Sequence, residues 1–113
     1  MSATTPIVII KALDALSQRA AATAQNIVAA NSPHYRPLEV KFEDSLKAAA
    51  AKGSDAVRDL AITTTRAPMP AGGDPRVDLE LATASDTAGR YGALIELLGR
   101  EMSIARTAVR GGQ

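Results

Sequence analysis

Apolar and small residues recur along the N-terminal part of the chain at Ile9, Leu13, Leu16, Ala20, Thr23, Ile27 and Ala30, with spacings alternating four and three. That alternation is the heptad seam of a helix built to lie along another helix. A second line, Val8, Ala15, Ala22 and Ala29, runs beside it at intervals of seven, and its alanines admit a second neighbour at close range. Thr5 and Pro6 predict the start of the helix, as N-cap and first helical residue. "NSPHY", residues 31–35, predicts its end, because the residue before Pro33 is pushed out of the α region.

The C-terminal part repeats the pattern over a longer run. Val77, Leu81, Ala84, Ala88, Tyr91, Ile95, Leu98, Met102, Ala105 and Val109 keep the same alternation. They predict one helix of roughly 35 residues, ~50 Å long at ~1.5 Å per residue. Leu94, Leu97, Ile104 and Ala108 draw a second stripe interrupted by Glu101, so one partner helix does not cover everything this helix presents. Gly89, Gly92 and Gly99 lie inside the pattern, each costing about 0.5–1 kcal/mol relative to alanine. Gly92 and Gly99, seven apart beside the seam, would let a neighbouring backbone come near; the alternative is that a long helix tolerates them. "RGGQ" supplies a glycine stop, with Arg106 and Arg110 near the negative end of the helix dipole.

Between the helices a short helix is predicted from about Phe42 to Ala51, closed by Gly53, and "AGGDP" at 71–75 predicts a turn. The rest of the middle has no sustained period, so it is expected to be extended or partly disordered, ordering on assembly. The expected fold class is therefore all-α in three parts: an N-terminal helix (1–31), a middle segment (32–74) and a C-terminal helix (75–113).

Composition changes this picture in one respect. Hydrophobic residues make up 46% of the 113, yet aromatics make up only 3% and alanine dominates, so little area is available to remove from water. A self-sufficient core is not expected, and the helices should bury their faces against other chains. The net charge of +1 is spread without a basic block, which argues against nucleic acid. There is no cysteine, hence no disulfide or thiolate chemistry. The run Ile7, Val8, Ile9, Ile10 is far shorter than the ~18 residues of a membrane span, and no basic region or cleavage site accompanies it. A cleaved secretory signal is thus not expected.

Candidate chemistry is sparse. His34, the single histidine, has no cysteine or carboxylate within reach in sequence and reads as a turn residue. Ser32 lacks a Gly-x-Ser-x-Gly elbow, and Glu39, Glu43 and Asp44 alternate with Lys41 and Lys47 as on a solvated helix face. "AGGDP" lacks the lysine and flanking strand of a phosphate loop. No enzyme, cofactor, metal or small-molecule substrate is expected.

"NIVAANSPHY" resembles the Asn-x-x-Asn-x-x-Thr-Pro-Gly-Tyr signature near the N-terminus of bacterial flagellar rod and hook proteins. Asn26, Pro33 and Tyr35 fall on the pattern, Ser32 stands for threonine, Asn31 precedes it, and Ala29 and His34 replace the second asparagine and the glycine. "PLEVKFEDSLKAA" is similar to the segment that follows in the family's basal-body rod members. "RVDLELATASDTAGRYGALIELLGREMSIARTAVRGGQ" is similar to their C-terminal helix, through Val77-Asp78-Leu79, Arg90-Tyr91 and the Thr107 to Gly112 ending. Residues 52–74 match least.

The resemblance implies a structural subunit of the proximal rod, with its terminal helices paired as an antiparallel coiled coil that forms the inner tube. It implies export without cleavage through the flagellar type III apparatus and assembly in the periplasm. Its partners would be further copies, other rod subunits, the rod adaptor protein and the membrane ring. Ile7 to Ile10 would then serve the export gate as well as the seam. A cytoplasmic helical-hairpin adaptor or export chaperone, binding one partner helix, is the alternative.

Overall fold

The computed structural model describes residues 3–68 and 76–111. Its elements are α1 (Thr4–Val28), β1 (Leu38–Val40), α2 (Glu43–Lys52), α3 (Ser54–Asp59), β2 (Thr64–Arg66) and α4 (Val77–Gly111). The fold is mostly helical, with long terminal helices packed against each other, but it is not all-α. β1 and β2 form a two-stranded antiparallel sheet, with Leu38 opposite Arg66, Glu39 opposite Thr65 and Val40 opposite Thr64. The turn expected at 71–75 lies outside the described residues.

α1 begins before the expected cap. Ala3 is the N-cap, without a side-chain hydrogen bond, and Pro6 is the third helical residue. Proline is harmless there because its missing N–H belongs to the first turn, whose donors have no intrahelical acceptor. The helix stops at Val28 and a turn runs on to His34, with Ser32 N–H donating to Ala29 C=O at 2.9 Å. α2 ends at Gly53, whose φ of 121° a side chain would strain. Gly53 N–H donates back to Ala49 C=O, while its own C=O accepts from Val57 N–H and starts α3.

α1 and α4 form a hairpin of opposed helices. Ala12 and Leu16 sit by Ala93 and Leu94, whereas Ala20, Ala24 and Ile27 sit by Ala84 and Ala88. From the level of Ala12 and Leu94, eight residues back reach Thr4 and eight forward reach Met102. The start of α1 therefore lies about level with Met102, and the last turns of α4, residues 103–111, project beyond it, all exposed.

The middle segment covers one side of this hairpin. Ala12, Ala15, Leu16 and Ala22 of α1 pack with Val40, Phe42, Leu46, Ala49 and Val57, with Leu16 and Val57 fully buried. This corrects the expected extended path: beyond α2, residues 38–66 include two short strands and α3, and their apolar side chains join a buried cluster with α1. The second neighbour invited by Ala15 and Ala22 is the chain's own middle. Alanine compensates for its small area here by letting Phe42 and Val57 approach the helix backbone closely.

α4 meets α1 with a face displaced by one position from its apolar seam. Ala84, Thr87, Leu94, Leu98 and Glu101 are buried or half-buried, while Leu81, Tyr91, Ile95 and Met102 are exposed. This rotation brings Leu94 against the core cluster and Arg90 within reach of Glu43. In the isolated chain Leu16→Ala should cost about 2–5 kcal/mol and Ile95→Ala less than ~1 kcal/mol. Denaturant titration of both variants checks this; equal losses would mean that the Ile95 stripe is the buried one.

Candidate functional site

The site is built outward from two side chains of α1. Asn26 is 4% exposed, and its Oδ1 accepts from the Leu38 N–H and the Tyr35 hydroxyl, each at 2.8 Å, while its Nδ2 donates to Leu38 C=O at 2.8 Å. The carboxamide thus meets both backbone groups of Leu38, as a neighbouring strand would. Two helical turns earlier, Arg19 donates from Nε and Nη2 to Val40 C=O at 3.2 and 2.6 Å. β1 is therefore paired on one edge with β2, and on the other α1 side chains take the Leu38 N–H and C=O and the Val40 C=O.

Arg19 does more than close the strand. Its guanidinium forks onto Glu43 at 2.8 and 2.9 Å and lies over the Phe42 ring, 4.8 Å from the centroid. Glu43 also accepts from Arg90 of α4 at 3.3 Å, and Arg90 pairs with Asp86 at 3.0 Å. One carboxylate thereby ties α1, α2 and α4. The hydrogen bond from Arg19, working against partial burial, pushes the Glu43 carboxyl down from 4.5 to about 2. The same bond raises the Arg19 pKa. On the far side of the core, Lys11 Nζ donates to the carbonyls of Arg58 and Leu60 at 3.0 and 2.9 Å, closing the end of α3.

The helix exit carries the signature residues. Tyr35 and Asn26 are joined directly, whereas Asn31, Ser32 and Pro33 lie exposed on the turn. The Arg66 guanidinium covers the Tyr35 ring at 5.4 Å and donates to Arg36 C=O at 2.7 Å, fastening β2 to the exit. His34, exposed, takes a φ of 59°, the left-handed conformation that suits the glycine of the resembling pattern. Its imidazole has a turn position and no carboxylate partner among the described residues.

The seam residues divide between two surroundings. Ile9, Leu13 and Leu16 are buried, Ile27, Val77 and Leu98 half-buried, and Ala20, Leu81, Tyr91, Ile95, Met102 and Val109 exposed. Of the N-terminal apolar run, Ile9 is buried, Ile7 and Val8 are half-buried, and Ile10 is exposed. On the side of the hairpin away from the sheet, a groove is lined by Leu16, Ser17, Ala20, Ala24 and Ile27 of α1 and by Ala84, Thr87, Ala88 and Tyr91 of α4. No charged residue lines it. Leu81, Ile95 and Met102 stand at intervals of seven from Ala88, so they extend the same apolar side, whereas Ile10 opens beside Lys11, Asp14 and Arg58. Val28, four from Ala24, adds a side chain that is 88% exposed. A methyl group added at Gly92 or Gly99 would meet open space.

Arg19 and Lys11 were not singled out in the sequence, and Arg90 was marked only through the resemblance, in the Arg90-Tyr91 pair. The one available signal was that Arg19 stands seven residues before Asn26, on the same line of α1. Glu39, Glu43 and Asp44 are not a cluster: Glu43 is bound by arginines, Glu39 pairs with Lys41, and no group of three or more metal-ligating side chains occurs among the described residues. The chain matches no protein-family model and no curated protein.

Two outcomes follow from the junction. Asn26→Ala takes the side-chain partner from the half-buried amide and carbonyl of Leu38, and should cost about 1–3 kcal/mol in denaturant titration; a loss within ~0.5 kcal/mol would place the hold on β1 elsewhere. Glu43, with its folded pKa below 4.5, contributes stability that is complete above pH 4.5 and lost as pH falls towards about 2. Urea midpoints measured across that window should fall more steeply for the native chain than for Glu43→Gln, and parallel curves would remove the carboxylate's role.

Proposed function

We propose that the chain is a self-assembling helical subunit that works through its packing surfaces. Within that class we read it as a structural subunit of the bacterial flagellar proximal rod, of the FlgB type. The first step is carried by the apolar side of the α1–α4 hairpin, which runs from Leu16 to Val28 and from Leu81 to Met102 with no layer of the described residues over it. A free monomer seldom leaves so extended an apolar face in water, and such faces mark interaction surfaces. The second step rests on the resemblance of "NIVAANSPHY" and the C-terminal helix to flagellar rod proteins.

In this reading the terminal helices act as an antiparallel coiled coil that contributes to the axial tube. The Asn26–Tyr35 junction turns the chain from the tube to the sheet and α2 on its outside. The partners are further copies, other rod subunits, the rod adaptor protein and the membrane ring, reached by type III export without signal cleavage. An unfolded passage suits a chain with no cysteine and one phenylalanine. The run Ile7 to Ile10 serves the export gate while unfolded, and Ile10 is the member that can be changed with least effect on the core.

A cytoplasmic adaptor or export chaperone that takes one partner helix is the second reading, favoured by the groove between α1 and α4. Delivery separates the two. The chain should appear outside the cytoplasm only in cells with a working flagellar export apparatus, and Ile10→Ser should reduce that export severalfold. Retention in the cytoplasm irrespective of the apparatus would favour the adaptor.

A further inference from the structure

The two-stranded sheet has one edge closed and one open. Ala67 N–H donates to Pro37 C=O at 2.7 Å, which makes residues 37 and 67 a hydrogen-bonded pair of the antiparallel ladder. Bonded and non-bonded pairs alternate, so Leu38 opposite Arg66 and Val40 opposite Thr64 are non-bonded pairs, whose N–H and C=O groups point out of the ladder. On β1 the outward groups of Leu38 meet Asn26, and the Val40 C=O meets Arg19. On β2 the outward groups belong to Thr64 and Arg66. Among the described residues only a long contact of 3.5 Å, from Arg36 Nη2 to Arg66 C=O, reaches them.

This open edge is built for pairing. All of β2 is exposed, and among the described elements it adjoins only β1 and α1, whose side chains bond the sheet from the opposite edge. Ile62, Thr63, Thr64 and Thr65 are β-branched without interruption, which suits a strand with partners better than a solvated loop. Edge strands are commonly guarded by lysine, proline or a bulge, and between Ile62 and Arg66 there is neither lysine nor proline. The one charge on the strand is Arg66. Its Nη1 donates to Arg36 C=O at 2.7 Å, while Arg36 Nε donates to Ala67 C=O at 3.0 Å. Backbone carbonyls thus hold two exposed guanidiniums at the end of the open edge. Neither meets a carboxylate among the described residues, whereas Arg19, Arg58, Arg76 and Arg90 each do.

We propose that the outer edge of β2 accepts an extended acidic segment of a partner protein as a third strand. The outward N–H and C=O groups of Thr64 and Arg66 exchange hydrogen bonds with two residues of that segment, two apart in its sequence. Main-chain bonds supply the attachment, and a carboxylate opposite Arg66 supplies the selection, as an opposite-charge cross-strand pair beside Arg36. A second copy of β2 is the poorer occupant, because it brings Arg66 and Arg36 towards their own kind. The contact lies on the sheet side of the hairpin, away from the apolar side read as the assembly surface, and it stands whether or not the chain belongs to a flagellar rod.

The probe is an eight-residue peptide of alternating Thr and Glu, titrated into the full chain at low salt. With the peptide in excess, the Thr64 and Arg66 amides should exchange about tenfold more slowly, and the Thr65 amide, already turned towards β1, should change less. Arg66→Gln should weaken the peptide about threefold, as loss of one exposed ion pair requires, and salt at ~0.5 M should weaken it for the native chain. A Thr–Gln peptide should lose the same affinity without any change to the protein. No binding, equal binding of a Thr–Lys peptide or of the Thr–Glu peptide N-methylated throughout, or unchanged Thr64 and Arg66 amides would overturn the third strand. Slowing of those amides with protein concentration alone, in the absence of peptide, would give the edge to a second copy and overturn it as well.

Discussion

Arg19 and Asn26, two turns apart on α1, hold the backbone of Val40 and Leu38 in the place where a neighbouring strand would otherwise be needed. A strand of three residues paired on one side only has little reason to persist in water. With its second edge taken by helix side chains it becomes part of a core, and Phe42, Leu46 and Val57 follow it onto α1. The Arg19 fork onto Glu43, reinforced by Arg90, then couples this layer to α4. Helix, strand, short helix and long helix therefore meet at one junction.

That junction explains why the subunit has two unlike sides. On the sheet side the alanine line of α1 is covered and its polar neighbours are partnered. On the opposite side the seam of α4 faces outward, because the rotation that brings Leu94 into the core and Arg90 to Glu43 turns Leu81, Tyr91, Ile95 and Met102 away from α1. The helix pair is thus left with buried Thr87 and Glu101 oxygens that have no hydrogen-bond partner among the described residues, and with large apolar side chains outside. Both features are costly in a solitary chain and are relieved by neighbours.

The parts of the fold legible in sequence were those with a sustained period. α4 spans Val77–Gly111 as the heptad run predicts, and α2 with its Gly53 stop was equally readable. β1, β2 and α3 were not, since three- and six-residue elements carry no period and exist because α1 supplies their hydrogen bonds and their apolar surface. The seam of α4 gave the helix but not its rotation, which depends on Leu94 and Arg90 finding partners in the middle segment. At the exit, Asn26 and Tyr35 were marked by the resemblance, yet their bond to each other and to Leu38 is a tertiary fact. Arg19 was marked only by standing seven residues before Asn26, because an arginine between Gln18 and Ala20 looks like any solvated position.

The reading of the chain as an assembling subunit depends on the closed side being closed before assembly, so that the bare side is left to meet a neighbour. Residue-resolved amide hydrogen exchange on the isolated chain measures this most directly. The Leu38 amide, held by Asn26 in the interior, should be protected to the same degree as the central amides of α1, with residues 103–111 exchanging fastest within α4. Exchange of Leu38 at the rate of an unstructured loop would contradict the account, because the middle layer would then form only when subunits meet.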